Sequence, residues 1–213
     1  YTYFGLLVKF GNAKSAAEKE AALRELEQEA RLNKIRIVDA EAFRYYVTPD
    51  CPIVRELAPI MPGAAPGEIA ASIRNKTSAL DVQDALQFLV KAGFLVKTGK
   101  GTYEQTEKSV KGSKEAIPLA IRSMNREMAS LAMQSIDTDS PEERNITGVT
   151  MGIDEAAYAR IVETINDCRK KIIDIARECE NINQVYRVNL QLFPLSDKVN
   201  NRVVKKETSN EQD

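Results

Sequence analysis

The residues that come nearest to a known chemistry are Gly93, Gly99, Lys100 and Gly101, spaced almost as in a loop that cradles phosphate. In such loops glycines let backbone N–H groups close on phosphate oxygens while a lysine adds charge. Here the spacing carries one residue too many, no Ser or Thr follows Lys100, and strand-like segments flank the run. It reads as a hairpin turn. Arg122 and Arg126, four apart with Lys114 ahead of them, have the spacing to grip an anion, but Glu115 and Glu127 make surface ion pairs the expected use. Asp137, Asp139, Glu142 and Glu143 lack the glycine and closing glutamate of a calcium loop, so solvent exposure and no metal are expected. Met124, Met128 and Met133 are expected to fill core.

The 213 residues contain no histidine. That removes the commonest general base, the Ser-His and Cys-His nucleophile pairs and the commonest zinc ligand, so a non-enzymatic chain without cofactor is expected. Thirty Lys and Arg against 31 Asp and Glu leave a net charge of -1, which argues against a basic nucleic-acid coat. Cys51, Cys168 and Cys179 are odd in number and show no CxxC spacing. Cys168 and Cys179, eleven apart on one expected helix, sit about 16 Å apart and cannot bridge. Buried thiols in a reducing cytoplasm are expected, with no signal peptide and no membrane span. A start on Tyr1 rather than Met suggests a missing upstream portion.

Three regions and a tail are expected to position these residues. Residues 1–60 form a helical N-terminal part: an apolar run at 3–10, a helix from Ser15 to Leu32 with Leu23, Leu26 and Ala30 in register, and a short strand at Lys34 to Val38. Asp39 would cap the next helix, with Val38 and Phe43 as a hydrophobic staple. Five prolines between Pro49 and Pro66 and the MPGAAPG run mark a boundary. Residues 61–110 then give a short helix at GEIAASI, a Ser78-capped helix from Ala79 to Ala92 ended by Gly93, and two strands around Gly99-Lys100-Gly101. Helix, helix and hairpin predict a winged helix-turn-helix. Residues 111–195 carry a helix over 117–136, a strand at 146–153, a long Asp154-capped helix to about Glu180 and a strand at 185–193. The long helix would bury a stripe running from Tyr158, Ile161, Val162 and Ile165 to Cys179. Residues 196–213 read as a disordered tail. The fold class is thus α+β, mixed.

LQFLVKAGFLVKTGKGTYEQT, SPEERNITGVTMGI and VYRVNLQLFPLS resemble the blocks of a bacterial domain-of-unknown-function family, over about Tyr3 to Ser196. The resemblance implies a transcriptional regulator, generally with a phage-repressor-like helix-turn-helix segment upstream, which this sequence lacks. It implies no catalytic residues.

Two functional expectations follow. In the first, the winged helix meets DNA through Arg74, Lys76, Gln83, Gln87, Lys91, Lys97 and Lys100. Charge opposes it: the outer face of the Ala79 to Ala92 helix is neutral to acidic, and residues 62–108 balance at only +1. In the second, the chain is the sensing and dimerising part of a regulator. Leu80 and Phe88 would then be contact residues, and Tyr3, Phe4 and Phe10 a surface for the upstream segment or for a second copy in a homodimer.

Overall fold

A computed structural model describes residues 2–33, 37–110 and 116–199. Helices α1 (Thr2–Asn12), α2 (Ala16–Asn33), α3 (Ile37–Tyr46) and α7 (Ala116–Thr138) pack on one another. Their shared core holds Phe10, Ala22, Leu23, Leu26, Phe43, Val47 and Ala120. Leu23 and Leu26 reach it because spacings of three and four return to the same helical face. Phe10 meets Phe43 edge-on, ring centroids 4.5 Å apart, so it is core and no docking residue. Val38 and Asp39 lie inside α3, which removes the second half of the expected strand and the Asp39 cap; Lys34 to Arg36 lie outside the described residues. Alternation over five residues cannot make a strand without a neighbour to bond.

A central unit follows: α4 (Asp50–Ile60), α5 (Pro66–Ala71), α6 (Ala79–Lys91), and an antiparallel hairpin of β1 (Leu95–Gly99) and β2 (Thr102–Gln105). Its core runs from Cys51, Val54 and Ala58 through Ile69 and Val82 to Leu89, Phe94 and Leu95. The prolines conceal α4 in the sequence. Pro52 sits in the first turn, where an N–H would be unpaired anyway. Pro59, near the end, leaves the Arg55 carbonyl without its helical donor, and the side-chain amide of Gln105 donates to it at 3.2 Å. The Arg55 guanidinium in turn donates to the Thr106 and Lys108 carbonyls, each at 3.1 Å, and lies 5.4 Å from the Phe94 ring centre. One residue thereby ties α4 to the base of the hairpin at two levels.

Helix α6 starts as its sequence dictates. The Ser78 hydroxyl accepts from the Asp81 N–H at 3.2 Å and the Asp81 carboxylate accepts from the Ser78 N–H at 2.9 Å. Gly93, at φ +76°, ends it. Gly101 turns the hairpin at φ +72°, and its carbonyl accepts from the Gly63 N–H at 2.8 Å. The linker-like MPGAAPG is therefore docked on the hairpin tip.

The third region departs most from expectation. Helix α8 (Glu155–Arg177) is capped by Asp154, whose carboxylate accepts from the Ala157 N–H at 2.7 Å, yet none of its residues is buried. The expected buried stripe is exposed or half-exposed, and Cys168 and Cys179 with it; Cys51 alone is the buried thiol. Residues 146–153 and 185–193 belong to no strand, because among the described residues neither is hydrogen-bonded to a second strand. After α8 the chain returns along α7, where the Asn189 amide donates to the Met128 carbonyl at 2.9 Å, and Lys198 reaches Glu155 at 2.5 Å. Among the described residues the fold is mixed α+β with helices dominating and a single hairpin as its sheet.

Candidate functional site

The outward face of α6 gathers several of the candidate residues of the central unit. Val82, Ala85, Leu86 and Leu89 face the core, which leaves Leu80, Asp81, Gln83, Asp84, Gln87, Val90 and Lys91 exposed. Leu80 is 66% exposed and Val90 36%. The Ser78 hydroxyl and N–H hold the Asp81 carboxyl below its ordinary range, so the face keeps that negative charge. With Asp84 beside it and only Lys91 opposing, the surface is apolar at both ends and net negative between.

The other candidate residues are scattered around this face. Lys97 and Lys100 are exposed on the hairpin and Lys76 ahead of α6, and among the described residues no ion pair holds them. Arg74 is committed elsewhere, 3.1 Å from Asp139 and 2.7 Å from Glu143, which fixes the loop after α7 against the central unit. Phe88 turns partly inward, 6.3 Å from Phe94 and with Arg44 over its ring at 6.0 Å, while Leu80 stands clear. The side chains of Tyr3 and Phe4 lie outside the described residues.

A concavity of about 380 Å³ lies between the α1–α2 turn and α7, lined by Lys14, Lys19, Arg122, Arg126 and Glu127 among others. It is less of an anion site than its cations suggest. The Glu18 carboxylate already accepts from the Lys14 N–H at 2.8 Å and the Ser15 N–H at 3.2 Å, filling the start of α2 and lowering its own pKa. Lys19 is buried and paired with Glu127. Among the described residues Glu127 thus pairs with buried Lys19 and not, as expected, with the arginines on its own helix, while Lys114 and Glu115 lie outside them. Sequence reasoning missed Lys19; its place four before Leu23 and seven before Leu26 was the signal. Met124 and Met128 are core, whereas Met133 is exposed.

Among the described residues no group of three or more His, Cys, Asp or Glu could hold a metal, and no described helix is long and apolar enough to cross a membrane. A family model described as a domain of unknown function, DUF4423, matches residues 29–195. The chain belongs to the DUF4423 family. The DUF4423 span takes in α3 to α8 and most of the segment behind α8, so the acidic face of α6 and the exposed α8 both lie within it. Helix α1 and the first part of α2 precede the DUF4423 match. No curated protein and no solved structure matches the chain.

Proposed function

We propose that this chain is a non-enzymatic, cytoplasmic module of a transcriptional regulator, and that its central unit is a winged helix used for protein contact, not for reading DNA. The outward face of α6 carries this reading. A groove-reading helix needs Arg, Lys, Asn or Gln toward base edges and cations toward phosphates. This one offers two carboxylates, two glutamines, one lysine and exposed Leu80 and Val90. Arg74, the one arginine among the DNA-facing candidates, is spent on Asp139 and Glu143. DNA reading would then fall to another segment of the regulator, such as the upstream helix-turn-helix that the family resemblance implies.

A second reading keeps the hairpin as a DNA-touching wing, favoured by exposed Lys76, Lys97 and Lys100. Binding to random duplex DNA across a salt series separates the two. Three phosphate contacts, one for each of those lysines, give a logarithmic salt slope of about -3. Under the protein-contact reading a slope near zero is expected. One near -3 that flattens by about one for each of Lys76→Ala, Lys97→Ala and Lys100→Ala would overturn it.

A further inference from the structure

Helix α8 and the extended segments on either side of it are folded as one half of something. The chain exposes 16125 Å², where a compact chain of its 23.7 kDa would expose about 9,800 Å². Allowing all 23 undescribed residues the roughly 160 Å² each of an unfolded chain still leaves on the order of 2,600 Å² in excess. An obligate homodimer covers about 1,000 to 2,500 Å² on each partner. The excess is apolar in the right place. Ile175 of α8 is 65% exposed, Val149 ahead of the helix 76% and Tyr186 behind it 66%.

The exposed stripe of α8 follows a heptad pattern: Tyr158, Ile161, Ile165, Cys168, Ile172 and Ile175 recur at alternate steps of three and four, the spacing of a two-helix seam. The charges are arranged head to tail. Residues 154–165 hold Asp154, Glu155 and Glu163 against Arg160, net -2. Residues 166–177 hold Arg169, Lys170, Lys171 and Arg177 against Asp167 and Asp174, net +2. A parallel pair would set like halves together, whereas an antiparallel pair sets each acidic half on a basic one. The same reversal layers apolar on apolar throughout, Tyr158 over Ile175, Ile161 over Ile172 and Ile165 over Cys168. A surface that complements its own reversed copy is what an isologous two-fold contact requires.

We propose that the partner of α8 is α8 of a second copy of this chain, the two helices crossing antiparallel about a two-fold axis between residues 166 and 167. The exposed apolar residues of the flanking segments, Val149 and Tyr186 among them, close on the same interface. This stands apart from the use of the winged helix, since no residue of α6 or the hairpin takes part.

Light scattering on the full chain from 1 to 100 µM should give twice the 23.7 kDa chain mass. Ile165→Glu and Ile172→Glu should each weaken the dimer at least tenfold while the thermal unfolding of the remaining body stays put, because neither residue is buried within its own chain. Orientation is read by cross-linking. In a background with all three native cysteines replaced by alanine, Tyr158→Cys with Ile175→Cys should oxidise to a covalent dimer; within one helix these positions are about 25 Å apart. With Cys179 as the sole cysteine no covalent dimer should form, since antiparallel pairing holds the two copies about 37 Å apart. A monomer across the whole range, a dimer indifferent to Ile165→Glu, or a Cys179 cross-link would each overturn the proposal.

Discussion

The side-chain amide of Gln105 takes the place of the backbone donor that Pro59 lacks, donating to the Arg55 carbonyl at 3.2 Å. A proline that should weaken α4 thereby becomes the point where the helix is fastened to β2. Gln105→Ala should cost about 1 kcal/mol, the usual net worth of such a bond. In a Pro59→Ala background the backbone N–H restored at that position can satisfy the Arg55 carbonyl, so the cost of Gln105→Ala should fall to what the bond from the same amide to the Glu56 carboxylate, at 2.8 Å, still contributes. A double-mutant cycle in urea measures this coupling; strict additivity of the two changes would count against it.

The Arg55 guanidinium holds two carbonyls of the segment after β2 and stacks near Phe94. Lysine cannot present two donors in that fixed fork. Arg55→Lys should therefore lose about 1 to 2 kcal/mol, and Arg55→Ala about 2 to 3, since hydrogen bonds from a charged group exceed neutral ones. Chemical denaturation reads both. An Arg55→Lys variant as stable as the parent would show that charge alone suffices.

Gly93 and Gly101 share a positive φ but differ in room. A Cβ on Gly101 would lie 3.1 Å from the backbone of Gly63, whereas one on Gly93 meets only the end of the Lys108 side chain at 3.9 Å. Gly93→Ala should cost about 1 kcal/mol for its backbone conformation alone, and Gly101→Ala about 2 to 4. For a chain of this size that is about 2 to 4 °C of melting temperature per kcal/mol. Equal shifts for the two variants would mean that the docking of Gly63 on the hairpin tip contributes nothing.

Burial pushes the Cys51 thiol up to about 12. Between about pH 9 and 12 the unfolded chain has released this proton while the folded chain keeps it, so stability falls as pH rises, by up to about 1.4 kcal/mol per pH unit. Below pH 9 the group contributes no slope. Cys51→Ala should flatten the alkaline limb of stability against pH. In thiol titration of the native chain at pH 8, Cys51 should stay unreactive until the protein is denatured.

How much of this was legible depends on whether the physics was local. The α6 boundaries were readable because Ser78, Asp81 and Gly93 act within a turn of where they stand, and the hairpin because Gly99-Lys100-Gly101 can do little else. The extents of α7 and α8 followed from period alone. The strands assigned to 146–153 and 185–193, and the 37–38 end of the one assigned to 34–38, failed because alternation states which face is apolar and not what lies beside it. The stripe of α8 failed for the same reason: its residues were correctly spaced, but among the described residues nothing buries them. Helix α4 was hidden by Pro52 and Pro59, whose tolerance depends on their place in the first and last turns and, for Pro59, on Gln105 46 residues away. At the candidate site the exposure of Leu80 could be read in advance, while the capture of Arg74 by Asp139 and Glu143 needed the fold.

The extended runs around α8 have a cellular consequence as well. Each shows alternating apolar side chains and unladdered backbone groups to solvent, which are the marks by which chaperones and proteases distinguish unfinished chains from finished ones. A copy newly released from the ribosome carries those marks even though its cores around Phe10, Phe43 and Phe94 are closed. On the pairing proposed for α8, its lifetime would be set less by the free energy of its own cores than by how soon a second copy hides the marks.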